Sequence, residues 1–181
     1  MMKNIFEISL LALSAISFFL DKGVALFIAS NRSLFFDKIF VFVINYVSTY
    51  FFILALLVYI IFKKRKYLKP YLMALAISAI LTVLIKITTD KTRPFIALGI
   101  EKIPGISYTF SSWNQSFPSW HAVSFFFMIP FISRKYRPLW IFLAGIIAVS
   151  RIYSGVHYLS DVLFGVLIGY LISKKCIDYF K

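Results

Sequence analysis

The 181-residue chain is 61% hydrophobic and 19% aromatic, with a mean hydropathy of +0.86, well above the roughly 45–50% apolar content of soluble domains. An ordinary soluble enzyme is excluded, and the net charge of +13 does not indicate a nucleic-acid partner, because the Lys and Arg residues fall mainly in the breaks between apolar runs. Membrane topology and anionic lipid head groups account for charges placed there.

Six apolar runs recur at residues 5–28, 39–62, 71–89, 119–133, 139–153 and 158–173, to be judged against a hydrocarbon core of roughly 30 Å crossed at about 1.5 Å per residue. Helices satisfy their own backbone groups in lipid, so the expected fold is an all-α integral membrane bundle of about six transmembrane helices. The first run is interrupted by Asp21 and Lys22. No small-x-small site closes it, so a retained anchor is expected rather than a cleaved signal peptide. The second run ends at Lys63, Lys64, Arg65, Lys66 and Lys69. The fourth and fifth are short for a crossing, and their helices are expected to start below the membrane surface. The sixth ends near Cys176, the single cysteine, which rules out an internal disulfide.

Basic residues orient the bundle. The groups after the second, fourth (Arg134, Lys135, Arg137) and sixth runs (Lys174, Lys175, Lys181), with Lys3, hold 12 of the 20 Lys and Arg residues. With six crossings all lie on one side, and the positive-inside rule makes that side cytoplasmic, with both termini. Lys86, Lys91, Arg93, Lys102 and Arg151 lie toward the other side, where a polyanionic ligand is one reason for them. No repeat or linker divides the chain, so one domain is expected over residues 1–181, with an outer loop at about 92–118 rich in Pro, Gly, Ser and Asn.

Three polar clusters fall at the outer ends of these runs. The first, Lys86-Ile-Thr-Thr-Asp-Lys-Thr-Arg93-Pro94, spaces Lys86 and Arg93 by two helical turns, and Pro94 pushes Arg93 out of helical geometry. A snorkelling Lys86 paired with Asp90 at i,i+4 is the plain structural alternative. In the second, Ser116-Phe-Pro118-Ser119-Trp120-His121, Pro118 and Ser119 read as a helix start whose free amides can face an anion; an N-cap serine with an interfacial Trp and His is the alternative. The third runs from Ser150-Arg151 through Gly155 to His157 and Asp161. Gly155 suits a helix C-terminus, and a carboxylate at i+4 can accept the Nδ1–H of His157, leaving Nε2 with its lone pair toward a substrate. The alternating direction of the runs brings all three clusters to one face, and the chain's two histidines both belong to them.

These residues resemble the signature of the type 2 phosphatidic acid phosphatase family, membrane lipid phosphatases related to vanadium haloperoxidases. The family pattern is Lys, six residues, Arg-Pro; then Pro-Ser-Gly-His; then Ser-Arg, five residues, His, three residues, Asp. The first and third parts match in spacing, and the second matches as Pro118-Ser119-Trp120-His121, with Trp where the family usually has Gly. If that position needs positive φ, Trp120 would be strained; if only its N–H is used, Trp is allowed. The resemblance implies that His157 is the nucleophile, Asp161 orients it and His121 protonates the leaving oxygen. Lys86, Arg93, Ser119, Trp120 and Arg151 would hold the phosphate, without a metal or cofactor.

The implied activity is hydrolysis of a lipid phosphomonoester or diphosphate at the outer face of the cell membrane. The compact outer loop looks like that of the small undecaprenyl diphosphate phosphatases. Phosphatidylglycerol phosphate, phosphatidate and lipid A phosphate are the alternative substrates. A phosphotransferase of the same fold and a non-catalytic anion-binding transporter are alternative functions. The expected partners are the phosphorylated lipid and the surrounding membrane lipids; no oligomeric state follows.

Overall fold

The computed structural model describes residues 2–46, 49–106 and 114–181. The part of the polar outer loop at 107–113 lies outside the described residues. Among the described residues eight α-helices follow in order: α1 Met2–Ser30, α2 Leu34–Tyr46, α3 Thr49–Lys63, α4 Leu68–Thr89, α5 Pro94–Ala97, α6 Trp120–Phe127, α7 Arg137–Tyr153 and α8 Leu159–Tyr179. Among the described residues there is no β-strand, only an isolated antiparallel bridge between Thr92 and Gln115.

Many large apolar side chains face outward, as expected in lipid, around an aromatic core that includes Tyr71, Phe127 and Phe131. On α1, Phe19 is 89% and Phe27 69% exposed, while Leu10, Ser14, Ser17, Asp21 and Ala25 form a buried stripe at helical spacing. On α4 the buried stripe is Tyr71, Ala74, Ser78, Thr82 and Lys86. Small and polar residues on the inner face let helices approach closely where lipid removes the usual hydrophobic drive. Asp21, which interrupts the apolar run, does not break α1. The helix runs unbroken through it because its carboxylate turns inward to partners described below.

Segments Glu7–Ser30 and Arg65–Thr89 are each long and apolar enough to cross a membrane, and Leu34–Ile44 with Thr49–Lys63 qualify together, at 49° to one another. The second expected run falls on α2 and α3, which meet the test for a crossing only as a pair. The fourth is α6, eight residues long, followed by a 3-10 turn, Ile129–Phe131. Pro130 in that turn has no N–H to continue an α-helix.

The closest helix crossing is α6 against α8. A Cβ built on Gly165 would stand 2.9 Å from Ser119 O, and one on Gly169 only 2.2 Å from Val123 O. Two glycines four residues apart place the α6 backbone directly on α8, and so set the position of the α6 start.

The basic groups gather at one end. Lys64 donates to Ser133 Oγ at 2.9 Å, and Lys174 pairs with Glu7 on α1. A cavity of about 610 Å³ opens there, lined by Arg134, Arg137, Lys174 and Lys181 over Leu10, Phe126 and Val166. None of the candidate site residues lines it.

Candidate active site

The end of α4 is shaped by its cap. Asp90 adopts the left-handed conformation (φ 42°), its amide donates to Lys86 O at 3.1 Å, and its carboxylate accepts Gln115 Nε2 at 3.0 Å. The Lys86–Asp90 pair considered from sequence does not form. Instead Lys86 Nζ donates to Gln115 O at 3.0 Å and to Ser116 O at 3.4 Å. Two of the ammonium's three N–H donors are thus engaged by loop carbonyls. Arg93 leaves helical geometry before Pro94 as expected (ψ 147°). Its Nη1 donates to Val156 O at 3.1 Å and lies 3.5 Å from His157 Nε2.

Ser119 is the N-cap of α6 and is fully buried. Its amide, expected to face an anion, donates instead to Asp161 O at 2.9 Å, because the glycine contact presses α6 onto the start of α8. Trp120 and His121 open the helix, so their amides have no intrahelical acceptor. The strain considered for Trp120 is absent: among the described residues Asp90 is the sole non-glycine with positive φ. Ser119 Oγ and Trp120 Nε1 are buried without a hydrogen-bond partner.

α7 ends at Tyr153, and Gly155 (φ 73°) reverses the chain beyond it. A side chain at this angle would be strained, and its Cβ would stand 3.4 Å from Arg32 Nη2. The turn leaves Arg151 in the last turn of α7 and His157 two residues before α8, with the His157 amide donating to Arg151 O at 3.2 Å. Asp161 Oδ2 accepts the Tyr158 amide at 2.8 Å, capping α8, and lies 3.5 Å from His157 Nδ1. That is longer than an ordinary hydrogen bond, and it still places the carboxylate on the Nδ1 edge and leaves Nε2 toward Arg93.

The three clusters meet. Lys86, Arg93, Arg151 and His157 are 5–8% exposed and Asp161 is fully buried. His121 lies within electrostatic range of Arg151, His157, Arg93 and Lys86. Arg151 Nε and Nη2 are buried without a hydrogen-bond partner. Burial holds the His157 imidazole well below its usual pKa against the opposing influence of Asp161, so the ring is neutral and keeps a lone pair at physiological pH. Arg93 is lowered by burial to about 10 and remains charged.

Two participants were not singled out by sequence reasoning. Asp21 and Lys91 adjoin Asp161: Lys91 Nζ lies 2.6 Å from Asp21 Oδ2 and 2.9 Å from Asp161 Oδ1. A carboxylate within an apolar helix was the available signal for Asp21. With Lys91 counted, four cations face two carboxylates, an excess of two positive charges in a buried site. Buried charge is costly unless compensated, and an oxyanion with several acceptor oxygens is the group that compensates this set.

Comparisons with known proteins bear on the family and the fold of the chain. A model of the family described as "PAP2 superfamily" matches residues 67–181. Over 61 residues the chain is 46% identical to the Bacitracin transport permease protein BcrC of Bacillus licheniformis, a match spanning 32% of this chain and 30% of that protein. The crystal structure of Aquifex aeolicus LpxE is similar at a TM-score of 0.71 and 25% identity, over 88% of this chain and 96% of that one. The first transmembrane PAP2 type phosphatidylglycerolphosphate phosphatase from Bacillus subtilis is similar in fold at a TM-score of 0.66 and 21% identity, over 96% and 94%.

Proposed function

The chain belongs to the PAP2 superfamily, and from that premise, as an integral membrane phosphoric ester hydrolase, we propose that it removes phosphate from a lipid through a phosphohistidine on His157. The observation that carries this reading is Arg151. Its buried Nε and Nη2 groups have no protein acceptor, and it stands with Arg93 and Lys86 around a neutral His157. Phosphoryl transfer needs positioning and charge neutralisation above all, and three cations beside a nucleophile supply both.

In the proposed first step His157 Nε2 attacks phosphorus while the bond from phosphorus to the lipid oxygen breaks. His121, protonated once the phosphate's negative charge offsets the cations around it, gives its proton to that oxygen, and the lipid leaves as an alcohol, or as a monophosphate if the substrate is a diphosphate. In the second step His121, now neutral, takes a proton from water, the resulting hydroxide attacks phosphorus, and the P–N bond breaks to release inorganic phosphate. Asp161 holds the His157 ring and stabilises it while it is cationic. Arg93, Arg151, Lys86, Ser119 Oγ and the amide of Trp120 hold the non-bridging oxygens.

The proposed substrate is a polyprenyl diphosphate such as undecaprenyl diphosphate, in keeping with the short chain and its compact outer loop. Phosphatidylglycerol phosphate, phosphatidate and lipid A phosphate are the competing lipids. The proposed site faces outward, because the basic groups gathered at the opposite bundle end favour the cytoplasm. Release of inorganic phosphate by purified protein, measured on each of these lipids, tests the reading. Activity that is abolished in His157→Ala and His121→Ala is expected. Turnover persisting in His157→Ala would refute the mechanism, and absence of phosphate release from every lipid would favour phosphotransfer or anion transport instead.

A further inference from the structure

A second ionic layer stands behind the proposed nucleophile and reaches it from the other end of the chain. Asp21, near the outer end of α1, is 6% exposed, although its neighbour Lys22 is exposed. Its Oδ1 accepts the Ser160 amide at 2.8 Å, and its Oδ2 accepts both Ser160 Oγ and Lys91 Nζ at 2.6 Å. Ser160 lies in the first turn of α8, so a carboxylate from α1 caps α8 where the helix dipole favours an anion.

Lys91 divides its charge between two carboxylates. Its Nζ also donates to Ser160 Oγ at 2.7 Å and to Asp161 Oδ1 at 2.9 Å. The rings of Tyr158, Phe18 and Phe117 stand 4.3, 5.0 and 5.6 Å from the ammonium, closing it in on faces that attract a cation. With Oδ1 held by Lys91 and Oδ2 by the Tyr158 amide, the Asp161 carboxylate has one orientation, and that orientation puts Oδ2 beside His157 Nδ1.

We propose that Asp21 and Lys91 are positioning residues of this enzyme, acting through Asp161 on His157, and that α1 is therefore a working part of the catalytic unit. This rests on the roles proposed above for His157 and Asp161. The residues matched by the family model begin after α1, so the contribution of Asp21 comes from the structure of this chain. The charge balance suits the reaction. Two carboxylates sharing one ammonium leave a net negative charge behind the imidazole, the sign required when His157 becomes cationic on taking the phosphoryl group. Without Lys91 the two carboxylates would repel one another and Asp161 could turn away. Without Asp21 the ammonium would pair with Asp161 alone and weaken its hold on the ring.

The test uses the full chain purified in detergent, with inorganic phosphate release from dioctanoyl phosphatidate and from farnesyl diphosphate as the readout. Asp21→Asn and Lys91→Met are expected to lower kcat by about ten- to a hundred-fold, the range typical of losing a partner that orients a reacting group. KM is expected to stay within about twofold, since neither residue is placed on the phosphate. Lys91→Arg, which keeps the cation, should recover most of the rate, the double variant should be little worse than the worse single, and Lys22→Met should match the parent. A merely structural tie between α1 and α8 would lower the melting temperature and leave kcat of the folded protein intact; that result overturns the proposal. If Asp21→Asn fails to fold, Asp21→Glu takes its place. This variant keeps the charge and displaces it by one methylene, and parental kcat in both it and Lys91→Met would equally overturn the proposal. Residual activity in a parallel His157→Ala sample would instead sink the assignment of the nucleophile, which separates the two failures.

Discussion

Gly169→Ala is the substitution whose effect can be worked most directly from the structure. The added Cβ would stand 2.2 Å from Val123 O and 3.0 Å from Phe127 N. Both are backbone atoms of α6, so no side-chain rotation relieves the clash. A carbon approaches a carbonyl oxygen to about 3.3 Å at closest, so α6 and α8 must separate by roughly 1 Å. Overpacking of this kind typically costs about 1–3 kcal/mol, and a displacement of about 1 Å at a reacting group can cost roughly a hundred-fold in rate. α6 carries His121 one half-turn from Val123, so the separation moves the proposed proton donor relative to His157 on the far side of the crossing. Gly165→Ala meets Ser119 O and Ala122 Cβ at 2.9 Å, a milder overlap. Gly145→Ala on α7 meets nothing within 4 Å and should gain up to about 1 kcal/mol of helix propensity. The assay is thermal melting in detergent together with phosphate release per folded molecule. The expected order of both stability and rate is Gly145→Ala at or above the parent, then Gly165→Ala, then Gly169→Ala. Gly169→Ala melting and turning over like Gly145→Ala would refute the crossing geometry.

Trp120→Gly should raise KM for long-chain substrates several-fold and change kcat less, because the backbone at this position is ordinary helix and the ring remains to serve the lipid; equal kcat losses on long- and short-chain substrates would mean that the ring shapes the transition-state pocket. Activity should survive a strong chelator and be blocked by vanadate, since Lys86, Arg93 and Arg151 supply the charge neutralisation; rescue of chelated enzyme only by a divalent ion would count against this. A thiol introduced as Ala97→Cys, at an exposed position of α5, in a Cys176→Ser background should react with an impermeant reagent added from outside, and labelling only after the inner face is opened would reverse the proposed orientation.

Composition, 61% hydrophobic, placed the chain in a membrane, where a backbone is satisfied only by helices or a closed barrel, and apolar runs longer than the roughly 9–11 residues of a barrel strand made it helical. The local turns followed from single residues as well: Pro94 ends α-helical geometry at Arg93, and Gly155 takes the positive φ that separates Arg151 from His157. The spacing from Lys86 to Asp161 made the site legible, since short-range geometry fixes where residues a few positions apart can face. Contacts between distant segments were not legible. Lys86 turned from Asp90 to the carbonyls of Gln115 and Ser116, and the Ser119 amide was taken by Asp161 O. Asp21, read as an interruption of its apolar run, became the cap of α8 across 139 positions. A charged residue in an apolar run announces only that it needs partners. Which partners it finds depends on how closely the helices pack, and here Gly165 and Gly169 settled that by letting the α6 backbone rest on α8, a property of two surfaces meeting that neither helix carries in its own sequence.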